Sequence, residues 1–212
     1  MNGDNCLTFN DTLGKLGMDQ KSIGMRFVSE KDKEQDKPDV YLALEQAADF
    51  GATAVYFRFY DNAKPPQPQV YIYDRTELKD YPESDADIHH MLWNAGIVPF
   101  CFIFKSSKVL VYNCSKKPSY DELGVFTTDE HGLINLLDEA QKELEIYNAK
   151  KFDSGLFWES EAGKKFDFNQ GAYQQLLDQL KNVKSIIISR VGNEHASLVK
   201  RLLMMLILIK YL

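Results

Sequence analysis

Apolar and polar positions alternate with two different periods along this chain, and the change of period marks out its elements. In "DVYLALEQAADFGA" Val40, Leu44, Ala47 and Ala48 form one helical stripe, which Gly51 ends. "TAVYFRFYD" alternates and is rich in aromatic residues, as a strand requires; "NAKPPQPQ" follows as a loop that three prolines hold out of a sheet, and "VYIYD" returns as a second strand. "SDADIHHMLWNAG" predicts a helix with Ser84 as its cap, acids in its first turn, Ile88, Met91 and Leu92 at helical spacing, and Gly96 at its end.

The most structured stretch is "PFCFIFKSSKVLVYNC". Phe100, Phe102 and Phe104 share one face of a strand and Cys101 and Ile103 the other, with Val109 and Val111 alternating against Leu110 and Tyr112. A turn at Ser106 and Ser107 sets Phe104 opposite Val109 and Phe102 opposite Val111. Both faces are apolar, so this hairpin belongs at the centre of a sheet covered on each side.

Before and after this region the pattern differs. Residues 1–38 are rich in Gly, Asp and Lys and lack an apolar period, which predicts a mobile arm with a short ordered turn near Leu13 to Met18. Beyond residue 120 the period becomes helical. Thr127 and Glu130 make a capping box for a helix carrying Leu133, Leu137, Ala140, Leu144 and Tyr147. "FDSGLFWES" interrupts as an aromatic plug, and Asn169 caps a further helix that Gly192 stops. The last helix runs from about Glu194 to Leu212 and is apolar nearly all round at "LLMMLILIKYL". Each such side chain left in water forfeits roughly 1.5 to 3 kcal/mol. The segment is therefore expected to be covered, either by further polypeptide of a longer protein or by a twin in a homodimer. The organisation read from these patterns is an arm over 1–38, an α/β domain over 39–120 and a helical connector over 121–212.

Composition refines this picture modestly. Hydrophobic residues at 44% and charged residues at 26% are globular values for a chain of 212 residues. Three cysteines, Cys6, Cys101 and Cys114, have no zinc or disulfide-framework spacing. The longest apolar run, Leu202 to Ile209, is far shorter than the roughly 20 residues of a membrane span, and no secretory leader opens the chain, so the expected compartment is the cytoplasm. The net charge of −6 conceals segments of opposite sign: 121–168 holds five basic and twelve acidic residues, and 169–212 six basic and two acidic. Nucleic acid responds to such local potential rather than to the sum.

Five stretches, "AVYFRFYDNAKPPQPQVYIYDRT", "IHHMLWNAGIVPFCFIFKSSKVLVYNC" with the "KKP" after it, "KKFDSGLFWES", "KFDFNQGAYQQLLDQLK" and "LLMMLILIKYL", resemble the N-terminal region of type IIG-like restriction–modification proteins and their N6-adenine DNA methyltransferase relatives. They cover about residues 40 to 212. The resemblance implies a methyltransferase domain, with its S-adenosylmethionine, following this region in the same polypeptide. This chain has no Asn-Pro-Pro-Tyr or Asp-Pro-Pro-Tyr motif for a flipped adenine, and its "DFGATA" comes between a helix and a strand, the wrong order for a cofactor-binding turn. Methyl transfer is not expected of these residues, and no cofactor is assigned to them.

The order helix, strand, strand, helix, strand, strand also resembles the core of PD-(D/E)xK nucleases, so the expected fold is α/β, a restriction-endonuclease-like mixed sheet, active or degenerate, flanked by helices and followed by the helical connector. An active nuclease requires two carboxylates holding Mg²⁺ and a lysine beside the attacking water. The candidates are Asp61 with Asp74 or Glu77, and Lys79. Threonine stands at 76 where the lysine of the strand triplet belongs, so Glu77-Leu78-Lys79 serves only if the strand continues that far. The preferred expectation is a non-catalytic scaffold that engages DNA or packs between domains, and the rival is a Mg²⁺-dependent endonuclease. Candidate phosphate contacts are Arg58, Lys105, Lys108, Lys116 and Lys117. His89 and His90, adjacent on one helix, point to different sides and fit an ordinary helix surface; Trp93 and Trp158 read as core anchors, and Cys101 and Cys114 as core filler.

Overall fold

The computed structural model describes residues 7–62, 64–77, 81, 83–120, 122, 126–127, 132–137, 142–167 and 171–210. The protein is a mixed α/β fold in which a six-stranded mixed sheet is flanked by helices. Its strands are β1 (Met25–Phe27), β2 (Ala54–Arg58), β3 (Gln67–Asp74), β4 (Phe100–Phe104), β5 (Lys108–Asn113) and, after a separate ribbon of β6 (Ser119–Tyr120) and β7 (Phe126–Thr127), β8 (Gly132–Asn135). The order across the sheet is β1-β2-β3-β4-β5-β8, with β3 and β4 parallel and the other neighbours antiparallel. A parallel pair needs a crossover. Helix α3 (Asp85–Ala95) supplies it, opened by a Ser84–Asp87 capping box and closed by Gly96 in the left-handed conformation.

The central hairpin has the predicted register: Phe104 opposes Val109 and Phe102 opposes Val111. Its two faces build two cores. Phe100, Phe102 and Phe104 join α1 (Phe9–Lys15) and the aromatic plug on one side, and Cys101 and Ile103 join α2 (Pro38–Asp49) and α3 on the other. The plug comprises α5 (Ala149–Ser154), a 3-10 turn at Leu156–Glu159 and α6 (Glu161–Lys164), preceded by α4 (Lys142–Ile146). Phe152 and Phe157 are fully buried in it, with rings stacked 4.3 Å apart.

Two expectations are corrected here. Residues 7–38 are not a mobile arm: Leu13, Leu16, Met18 and Met25 are buried in the sheet's core, and β1 pairs with β2. Four spaced apolar side chains suffice, because the sheet face supplies the periodic surface that the segment lacks. The segment carrying Leu133 is strand rather than helix: Leu133 lies opposite Leu110 and Ile134 opposite Val109, so pairing with a half-covered β5 overrides the helical spacing. Glu130 and Ala140, read as helix positions, lie outside the described residues, as do Cys6, Lys79 and Asn169; the helix expected to start from Asn169 as its cap has Gly171 there instead. Beyond residue 120, β8 and the plug pack on the same aromatic face as β4.

Helices α7 (Ala172–Val191) and α8 (Ala196–Lys210) pack on one another. Most of the described side chains of α8 stay in solvent, with Leu198 62% and Met205 59% exposed. No helix among the described residues is long and apolar enough to cross a membrane.

Candidate functional site

Strand directions bring the C-terminal ends of β2 and β5 together with the N-terminal ends of β3 and β4. At this end of the sheet lies a crevice of about 700 Å³, the size of a small-ligand site. Trp158, Phe166 and Ile97 give it apolar walls; Arg58, Gln67, Gln69, Ser115 and Lys164 give it polar groups, and no carboxylate stands among the described lining residues.

Arg58 ends β2 on the side of the plug. Its guanidinium donates to the Ser154 carbonyl at 3.2 Å and lies 5.0 Å from the centre of the Tyr60 ring. Gly155, with φ +81°, leaves room for it: a β-carbon there would collide with the guanidinium. The Arg58 Nε is buried without a hydrogen-bond partner. Behind it, Tyr56 donates its hydroxyl to Asp153 at 2.9 Å. Burial raises the Asp153 carboxyl above its ordinary range, against the opposing pull of the Tyr56 hydrogen bond and the Arg58 charge. Tyr60 in turn donates to Gln67 Oε1 at 2.6 Å, and the Lys64 ammonium sits 4.3 Å from the Tyr60 ring.

A β-bulge shapes the floor. The pairing passes from Tyr56 opposite Val70 to Phe57 opposite Pro68, which leaves Gln69 as an extra residue on β3. Proline cannot donate to a ladder, so an interior strand accommodates it at such a bulge. This is where the expected proline loop differs from the structure: Pro68 lies inside β3. Gln69 is buried and accepts the indole N–H of Trp158 at 3.1 Å.

The five cations proposed from sequence divide between the two ends of the sheet. Arg58, Lys116 and Lys117 belong to the crevice end, where Lys117 places its ammonium 5.3 Å from the ring of Trp93. Lys105 and Lys108 flank the hairpin turn at the other end, and Lys105 pairs there with Asp85 at 3.1 Å. Arg75, also at that end, is buried and donates to Asp85 at 2.7 Å and to the Glu83 carbonyl at 2.6 Å. These charges satisfy one another and anchor the connection from β3 to α3.

The candidate acids are separated too. Asp61 follows the end of β2 and Asp74 ends the antiparallel β3, a strand of 8 residues that spans roughly 23 Å at about 3.3 Å per residue. One ion cannot bridge that distance. Asp74 accepts from the Thr76 amide at 3.0 Å and hydroxyl at 2.7 Å, a local turn that closes the strand. Glu77 lies past that turn, exposed, so it does not share a strand face with Asp74. Among the described residues, no three of His, Cys, Asp and Glu are grouped to hold a metal ion.

His89 and His90 diverge as expected, but His89 is not a surface residue. It is 2% exposed, with Nε2 2.8 Å from the Asn113 carbonyl and its ring stacked on Tyr112. Cys101 and Cys114 are free, buried on one face, and burial pushes both thiols well up, so neither is a ready nucleophile. Trp93 is buried, whereas Trp158 is half-buried and walls the crevice. Gln69 and Tyr60 escaped sequence reasoning; the one signal was a proline beside a residue of an otherwise apolar interior strand. No family model, no curated protein and no solved structure matches the chain.

Proposed function

We propose that the chain is a non-catalytic, restriction-endonuclease-like module of a cytoplasmic restriction–modification or DNA adenine methyltransferase protein. It engages DNA at the crevice end of its sheet and packs through α7 and α8 against the methyltransferase domain of the same polypeptide. The observation that carries the DNA reading is that Arg58 lines a crevice with no carboxylate among its described lining residues, while Lys116 and Lys117 follow β5 at the same end of the sheet. Phosphate backbones are attracted to such local positive potential even when the whole chain is acidic. The sequence resemblance and the order α2, β2, β3, α3, β4, β5 support the family context. The exposed apolar side chains of α8 support the packing role.

The endonuclease reading is disfavoured by the separation of Asp61 from Asp74 and Glu77. Homodimerisation through α8 is favoured by the same exposed side chains, and light scattering distinguishes it, since a concentration-independent monomer speaks against it. The DNA reading is tested by fluorescence anisotropy with a labelled duplex between about 50 mM and about 200 mM salt. Binding that weakens with salt, and a shallower salt dependence in the double variant Lys116→Glu, Lys117→Glu, are the expected results. No binding at the lower salt overturns the reading.

A further inference from the structure

We infer that the crevice is a binding site for a single nucleotide unit, its base held along the wall of Trp158, Phe166 and Ile97 and its phosphate at the opening where Arg58 and Lys164 stand. This inference deepens the DNA reading above and rests on it for the source of the nucleotide.

Four observations converge on that chemistry. The first is size, because about 700 Å³ lies in the middle of the range for small-ligand sites. The second is charge: two cations and no carboxylate among the described lining residues select an anion. Arg58 is suited to the task, since its guanidinium is held in place by the Ser154 carbonyl and the Tyr60 ring. The third is the N-terminus of α7. Its cap residue, Gly171, lines the crevice, makes no side-chain cap bond and is followed by no acid in the first turn of a 20-residue helix. The positive end of a helix adds to a site already built by the cavity and its cations.

The fourth is the mixture of flat apolar surface and amides. The amide N–H groups of Gln67, whose oxygen accepts from Tyr60, and the Ser115 oxygen, whose proton goes to Asn113, stand at the crevice with the indole of Trp158, as the edge and face of a base require. The tail of a fatty acid would leave the Gln67 amide unpaired, and inorganic phosphate would leave the aromatic wall empty. A nucleotide uses both. The nucleotide is either free or part of an unpaired stretch of a strand, and the two sources differ experimentally.

The test uses the intact chain carrying Trp93→Phe, so that its remaining tryptophan, Trp158, reports on the crevice by fluorescence. Titration with deoxyadenosine monophosphate is expected to change that fluorescence saturably, with deoxyadenosine and inorganic phosphate each binding at least about tenfold more weakly. Arg58→Gln, which also gives up the bond to Ser154, and the exposed-site variant Lys164→Glu are each expected to weaken nucleotide binding by about tenfold, Lys164→Glu while melting at the parent temperature. Competition by a single-stranded oligonucleotide but not by intact duplex assigns the source to a strand; competition by neither assigns it to free nucleotide, and both results support the site. If duplex DNA binds in the anisotropy assay while the nucleotide and the single strand leave Trp158 unchanged, the inference is overturned and the DNA reading survives. If the nucleotide binds and no DNA does, the site stands and the DNA reading falls. Nucleotide binding unaltered in both variants also overturns the assignment.

Discussion

Trp158 donates its indole N–H to Gln69 across a sequence separation of 89 residues, at 3.1 Å. The bond fastens the aromatic plug to the bulge of β3, and so joins the two halves of the crevice wall. Both groups need it: Gln69 is 4% exposed, and its own amide N–H groups reach only the nearby Gln67 and Pro68 carbonyls at 3.3 and 3.5 Å.

Trp158→Phe keeps most of the ring contact with Phe100 and Phe166 and deletes the donor. A buried acceptor left unpaired costs about 1 to 3 kcal/mol. Urea denaturation is expected to show a loss of that size. In a double-mutant cycle with Gln69→Met, part of the loss is recovered, because the second change removes the orphaned group. Additive effects would show that the bond contributes nothing.

Leu16→Ala tests the role of the N-terminal segment. Leu16 is fully buried against the sheet, and its carbonyl accepts the Ala149 amide at 2.9 Å, so the segment ties into the plug as well. A truncated leucine in a packed core costs about 2 to 5 kcal/mol, and the variant is expected to melt well below the parent. A segment merely resting on the surface would tolerate the change with no measurable shift in melting temperature.

What the sequence disclosed and what it hid follow from the range of the forces involved. The register of Phe102 with Val111 was legible because a tight turn and two-residue alternation act locally. The burial of Leu13 and Leu16 was not, since the core they join is built from strands and a plug distant in sequence and no period within the segment announces it. Leu133 misled for a related reason: three- and four-residue spacing favoured helix, and only the unpaired edge of β5 made strand the better solution. The crevice was the least legible feature, because a bulge, a glycine at 155 and an indole from the plug meet there only once the chain has folded. Arg58, Lys116 and Lys117 were recognised as cations, but strand direction alone separated them from Lys105 and Lys108.

Stability is expected to fall in mild acid through His89. Burial lowers its pKa below the ordinary value of 6.5, with the hydrogen bond to the Asn113 carbonyl acting the other way. The unfolded chain therefore takes up the proton at a higher pH than the folded one does. The stability associated with neutral His89 is complete above pH 6.5 and is lost as pH falls from there through the lower folded value. Between about pH 7.5 and about pH 5, the parent should lose more stability than His89→Gln, whose amide takes up no proton. His90→Gln serves as a control for the second lowered histidine on the helix. Equal pH dependence in the parent and His89→Gln would contradict the assignment.

The surface of α8 makes the opposite kind of prediction, one of indifference in the monomer. Leu202 and Leu206 are 51% and 54% exposed, so exchanging them for glutamine removes few contacts. Exposed substitutions away from caps and cores usually change stability by less than about 0.5 kcal/mol. The double variant Leu202→Gln, Leu206→Gln is expected to keep the parent's urea midpoint and to bind less of an apolar dye such as 1-anilinonaphthalene-8-sulfonate, because the patch that attracts it has shrunk. A helix already sealed in a homodimer behaves differently: the same substitutions would lower the midpoint, make it depend on protein concentration, and leave dye binding unchanged or increased. The two measurements together therefore tell whether this face is open to a partner domain or occupied by a second copy.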